Sequence, residues 1–103
     1  MKRYGLNNNY KIAAYLNFQS DEWQQLRSSQ AWHAENSRYA VLQSYTTLVS
    51  VFDKQTGILY ENKFSPTTSR QQTWWKRAID IEDCIKETKS LQDFRDLHNI
   101  ARQ

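Results

Sequence analysis

The sequence predicts an α+β domain in which a small antiparallel sheet of two or three strands packs against N-terminal and C-terminal helices. Two observations predict this fold. Segments rich in β-branched and aromatic residues run over 38–52 and 58–63, with a turn signal between them. A Ser-Pro pair then opens a segment in which apolar residues recur at helical spacing. A chain of 103 residues has room for one modest core, so we expect a single domain over 1–103.

Two helices are predicted before the sheet. Apolar residues recur at helical spacing over 8–18, although the same run also suits a strand. A second helix is predicted over 21–33, because Ser20 is a good N-cap. Asp21 and Glu22 would then occupy the first turn, where the helix dipole favours acidic residues.

The β segment over 38–52 has apolar residues on both faces, which predicts a strand covered on both sides. Fifteen residues is long for one strand, so we expect a bend or bulge near Gln43–Ser44. Residues 53–57 form a predicted hairpin loop, in which Gly57 supplies the positive φ that closes the turn. The partner strand begins at Ile58.

A helix over 66–78 has the best-marked start in the chain. Ser65 is the predicted N-cap, and Pro66 occupies the first helical position, where its missing N–H costs nothing. Helical spacing directs one set of side chains towards the core: Thr68, Gln72, Trp75 and Ile79.

Two further helices are predicted in the acidic C-terminal segment. The first begins near Asp80, and its predicted buried residues are Ile81, Cys84, Ile85 and Thr88. The second begins at Ser90, with Asp93 in its first turn.

Composition and motifs exclude several classes of protein. Cys84 is the only cysteine, so there is no internal disulfide, and a reducing compartment such as the cytoplasm is expected. No apolar run is long enough to span a membrane. No His or Cys spacing matches a metal or catalytic motif, so we expect neither an enzyme nor a cofactor. The 14 aromatic residues (four Trp, six Tyr, four Phe) are many for a mean hydropathy of −0.88, and exposed rings often mark interfaces.

The first candidate site is one face of the 66–78 helix. The net charge of +3 is concentrated here, because residues 65–79 carry three cations (Arg70, Lys76 and Arg77) and no acid. Arg70, Trp74 and Arg77 share a face, where arginines can bind phosphates or carboxylates and Trp74 can anchor in a partner. The alternative is that Trp74 packs on a neighbouring helix and the arginines pair with the acids at 80–83.

The second candidate site is the start of the same helix. Free N–H groups, the hydroxyls of Thr67, Thr68 and Ser69, and Arg70 could together hold a phosphate. The alternative is that these residues only cap the helix.

The middle of the chain also carries a longer pattern, S-Y-x-T-x-V-x-x-x-D, then a turn, then Y-S-x-T-T-S-R-[HQ]. The matching residues are Ser44, Tyr45, Thr47, Val49, Asp53, Ser65, Thr67, Thr68, Ser69, Arg70 and Gln71. The pattern resembles a module of small uncharacterised proteins from bacteriophages and mobile elements of Gram-positive bacteria, with Phe64 in place of the usual Tyr. The resemblance implies an accessory protein made in a host cytoplasm and directed at host machinery. Anti-CRISPR and other anti-defence proteins belong to that group.

These observations favour a non-enzymatic binding protein of phage or mobile-element type. Its expected partner is a host protein or ribonucleoprotein complex, such as a CRISPR effector, which it would inhibit or redirect. Two alternatives stay open. One is direct nucleic-acid binding through the basic helix over 66–79, and the other is a self-associating structural or regulatory protein, such as a homodimer.

Overall fold

The computed structural model describes Leu16, Phe18 and the ranges 23–27, 29–45 and 47–99. These residues contain a mixed sheet of six strands and two helices. The strands are β1 (Gln24–Gln25), β2 (Ala31–Glu35), β3 (Tyr39–Ser44), β4 (Thr47–Asp53), β5 (Ile58–Glu61) and β6 (Glu87–Lys89). The helices are α1 (Pro66–Ala78) and α2 (Leu91–His98), with a short 3-10 helix at Glu82–Cys84. The architecture is still α+β, but the predicted sheet of two or three strands is wrong.

The strands follow one another across the sheet in chain order. Neighbours from β1 to β5 are antiparallel, and α1 forms the crossover that brings β6 parallel to β5. Trp75 of α1 packs on one face in a cluster with Leu42 and Phe52. Phe94 of α2 packs on the other face in a cluster with Tyr60. The central strands are therefore buried on both faces, as their sequence predicted.

The single strand expected over 38–52 is instead two strands joined by a tight turn. Ser44 pairs with Thr47, and Tyr45 between them has a left-handed φ of +55°. The register also shifts beside Gln43. The register shift confirms the predicted bend or bulge near Gln43–Ser44. The chain then reverses direction in the turn after Ser44, which was not predicted. The sequence did not predict a hairpin here because the turn contains neither of its usual residues, Gly or Asn.

The helix predicted over 21–33 is wrong, because β1 and part of β2 occupy that range. Trp23 packs with the cluster beneath α2 and Leu26 with the cluster beneath α1, so they lie on opposite faces of the sheet. Pairing of β2 with β3 overrides a weak local preference for helix. The helix predicted over 8–18 lies outside the described residues, apart from two of them, which are buried.

The helix predicted from Asp80 is also wrong. Asp80 has a left-handed φ of +58°, which ends the helical geometry after α1. The chain makes only the 3-10 helix before the N–H of Lys86 donates to the Gly57 carbonyl at 2.8 Å and leads into β6. Ile81 is buried as predicted, whereas Cys84 is exposed rather than buried.

Three locally signalled features are confirmed. Gly57 closes the loop before β5 with a φ of +77°. Ser65 caps α1, because its Oγ accepts a hydrogen bond from the N–H of Thr68 at 3.2 Å. Ser90 caps α2 in a reciprocal capping box with Asp93.

Candidate functional site

A surface groove lies beside the C-terminal half of α1. Its volume is about 330 Å³, and its lining residues are Leu26, Arg27, Trp74, Arg77 and Ala78. Three of these residues belong to α1, and the other two follow β1 directly. We call it the Trp74 groove. It contains two of the three residues of the helix face that the sequence marked as a contact surface, Trp74 and Arg77.

The defining contact of the Trp74 groove is between Arg27 and Trp74. Arg27 Cζ lies 4.2 Å from the centroid of the Trp74 ring, which is a cation–π contact. Arg27 has a left-handed φ of +59°, a backbone conformation that costs a non-glycine residue about 1 kcal/mol. Its side chain is exposed, and no described carboxylate forms an ion pair with it. The guanidinium therefore rests on the ring while its N–H groups remain accessible to an acceptor.

The other two arginines of this surface differ in their surroundings. Arg77 Nε lies 3.5 Å from Glu82 Oε2, with 68% and 51% of the two side chains exposed, so the pair is weak and screened by salt. Arg70 is exposed and has no ion pair with a described carboxylate. Trp74 is half-buried against the cluster beneath α1. The alternative was that Trp74 packs on a neighbouring helix and the arginines pair with the acids at 80–83. The structure agrees with it in part, because the Trp74 ring packs inward and Arg77 faces Glu82. Arg70, however, has no ion pair with a described carboxylate.

Thr68, a predicted site residue, forms hydrogen bonds with other residues of the fold. Ser44 Oγ lies 3.3 Å from Thr68 Oγ1 and donates to Gln71 Oε1 at 2.6 Å. Ser65 Oγ donates to the same Thr68 oxygen at 3.2 Å. These bonds join the β3–β4 turn to the first turns of α1. Thr68 is buried as a result, so its hydroxyl serves the helix start rather than a phosphate.

The remaining predicted site residues divide by exposure. Thr67 and Ser69 are exposed at the start of α1. Lys76 Nζ instead donates to Glu61 Oε2 at 2.9 Å, and the other oxygen of Glu61 accepts from Ser50 Oγ at 2.7 Å. Lys76 therefore ties α1 to β5 and is not part of the Trp74 groove.

The sequence analysis missed three exposed residues as candidates, one in the Trp74 groove and two at the opposite end of α1. Arg27 fell in a predicted helix, and its charge was the only available signal. Tyr45 and Phe64 expose 56% and 47% of their surface. They adjoin Ser44 and Ser65, whose hydroxyls contact the same threonine, so both aromatic residues lie near the N-terminal end of α1.

The groups whose pKa values are shifted by the fold do not line the Trp74 groove. Arg38 binds Asp53 with two hydrogen bonds of 3.2 and 3.0 Å. Burial favours a higher pKa for Asp53, but the bonds from Arg38 and from backbone N–H groups, including that of Gln55, outweigh it and hold the pKa below its ordinary 3.8. Burial also lowers the pKa of His33 and of His98. The Arg38–Asp53 pair ties the residue before β3 to the end of β4.

Two features are absent from the part of the chain that the structure describes. No group of three or more His, Cys, Asp or Glu side chains there is placed to hold a metal ion. No helix in the same residues is long and apolar enough to cross a membrane.

Comparison with known protein families gives a match over most of the chain. The model of DUF8033, a family of unknown function, matches residues 11–94. The chain belongs to this family. The matched range contains all of the Trp74 groove, the hydrogen-bonded residues Ser44, Thr68 and Gln71, and all six described strands. Neither the curated proteins nor the solved structures that were searched gave a significant match.

Proposed function

We propose that this chain is a non-enzymatic binding protein that inhibits or redirects a host protein, and that the Trp74 groove is its contact surface. The observation that supports this proposal is the guanidinium of Arg27 held 4.2 Å above Trp74 with no carboxylate partner among the described residues. Trp and Arg are the residue types that most often dominate binding energy at protein interfaces. A half-buried tryptophan in a groove provides a rigid apolar anchor, and the arginine beside it adds directional donors.

The charge around the Trp74 groove favours a protein over a nucleic acid as the partner. Two arginines, Arg27 and Arg77, line the groove; Arg77 faces Glu82, and the nearby Lys76 is bound to Glu61. Nucleic-acid binding depends on neutralising several phosphates at once. Acids at 80–83 directly follow α1 and oppose a polyanion. Two arginines around one tryptophan suit an acidic or carbonyl-rich patch on a protein better.

The resemblance to phage and mobile-element proteins supplies the partner class in this proposal. The first candidates are host complexes that handle nucleic acid in defence, such as CRISPR effectors. Such a complex would be inhibited if the bound chain covered one of its functional surfaces, so the proposal requires no catalytic group on this chain.

Affinity capture from host lysate tests the proposal, with and without nuclease treatment. The tagged wild-type chain is compared with Trp74→Ala and Arg27→Ala, which remove the two halves of the cation–π contact. Leu97→Ala is the control for loss of an apolar side chain, because Leu97 is 65% exposed on α2. Lys63→Ala is the control for loss of an exposed cation at the other end of α1.

The proposal predicts a specific protein that is captured after nuclease treatment, is lost with both groove variants and is retained by both controls. Capture that disappears with nuclease would instead support direct nucleic-acid binding. That alternative also predicts that the purified chain binds oligonucleotides with an affinity that falls steeply as salt rises. Equal capture by all variants would show that the Trp74 groove is not the contact surface.

A further inference from the structure

The last strand of the described sheet has an open edge. β6 pairs with β5 on one side, and no other described strand pairs with it on the other side. All three of its side chains are exposed. An exposed sheet edge is a template for another strand, and proteins either protect such an edge or use it.

The sequence of β6, Glu87-Thr88-Lys89, is complementary to itself in one antiparallel register. A two-fold axis perpendicular to the sheet keeps each side chain on its own face, so the axis must pass beside one residue of the strand. An axis at Thr88 places Glu87 of each copy opposite Lys89 of the other. An axis at Glu87 or at Lys89 places two like charges opposite each other, which is destabilising. Charge therefore selects a single register.

The side chains of the two charged residues project from the same face. In the parallel pairing with β5, Glu87 is in register with Ile58 and Lys89 with Tyr60. Those two β5 residues belong to the cluster beneath α2, so Glu87 and Lys89 both lie on the α2 side of the sheet. Two symmetric ion pairs would form there across the axis, with Thr88 against its own copy on the opposite face.

From this geometry we propose that β6 is a self-association edge, and that its occupant is β6 of a second copy of this chain in antiparallel pairing about Thr88. The sheets of the two copies become continuous. The contact uses only three residues of each strand. A stable interface buries roughly 1,600 Å² and uses about 20–30 residues from each partner. The dimer is therefore weak and depends on protein concentration. None of the residues that line the Trp74 groove belongs to β6, so this inference does not depend on the proposed function.

Sedimentation equilibrium of the purified full chain over a wide concentration range tests the pairing. Wild type should show a monomer–dimer equilibrium. Glu87→Lys and Lys89→Glu each turn two opposite-charge pairs into two like-charge pairs, so each should raise the dimer dissociation constant about tenfold. The double variant Glu87→Lys/Lys89→Glu restores both pairs in reversed sense and should return the constant close to the wild-type value.

Matched controls make the same charge changes outside β6. Asp83→Lys and Lys63→Glu alter exposed residues and should leave the dimer constant unchanged. A wild-type chain that stays monomeric throughout would overturn the proposal and indicate that the charges only protect the edge. A dimer dissociation constant that the single charge reversals leave unchanged would also overturn the proposal, and so would one that the double variant fails to restore. In either case the two copies would meet through another surface.

Discussion

The guanidinium of Arg27 stacks on the ring of Trp74, with 4.2 Å between Cζ and the ring centroid. The two residues come from distant parts of the chain, so the Trp74 groove exists only when the sheet and α1 are assembled together. Trp74 on an isolated helix would be an exposed ring. In the fold it becomes one wall of a groove with an arginine fixed above it.

The adjacent tryptophans of α1 should respond differently to removal. Trp75 is fully buried, so Trp75→Ala should cost about 3–5 kcal/mol, enough to unfold most of the population of a small domain. Trp74 is only half-buried, and Trp74→Ala should cost under about 2 kcal/mol. Urea unfolding followed by circular dichroism gives both values. A larger loss for Trp74→Ala would mean that this ring is a core residue rather than a contact residue.

Ser44 is expected to stabilise the junction between the β3–β4 turn and α1. Ser44→Ala would leave Gln71 Oε1 and Thr68 Oγ1 with one partner fewer in a buried site, at a cost of about 1–3 kcal/mol. Ser69→Ala is the matched control, because Ser69 is exposed on the same helix and should change stability by under about 0.5 kcal/mol. Equal losses for the two variants would show that the hydroxyl junction does not contribute to stability.

Stability should fall as the solution is acidified below neutral pH. Burial lowers the pKa of both His33 and His98 from the ordinary value of 6.5. The unfolded chain therefore binds protons at these sites before the folded chain does. The contribution is complete above pH 6.5 and is lost as the pH falls towards the lowered values. Asp53, whose pKa is also lowered, adds a second loss below its ordinary 3.8.

Thermal melts across this range measure the dependence on pH. The double variant His33→Gln/His98→Gln should have a flatter profile between pH 7 and about 5 than wild type, because two neutral side chains replace the titrating pair. An unchanged slope in the double variant would assign the acid sensitivity to other groups.

The helices at the C-terminal end of the fold could be predicted because their signals are local. Ser65 with Pro66, and Ser90 with Asp93, specify helix starts within a few residues, and the structure confirms both caps. Trp75 was likewise identified as core from helical spacing alone.

The sheet could not be predicted to the same extent, because three of its six described strands (β1, β2 and β6) carry little local signal. β1 has two residues and β6 has three, which is too few for any periodicity to appear. Their pairing is decided by contacts with β2 and β5, which no window of sequence contains. The same limit applies to the Trp74 groove. Its α1 half followed from spacing on one helix, whereas Arg27 was brought there by the sheet.

The most direct test of the Trp74 groove is a double-mutant cycle on binding to the captured partner. Affinities are measured for wild type, Arg27→Ala, Trp74→Ala and the double variant by the same surface-based assay. If Arg27 and Trp74 act as one unit, each single variant should weaken binding at least tenfold, and the double variant should be little worse than Trp74→Ala. Losses that simply add, or single variants that bind like wild type, would contradict the account.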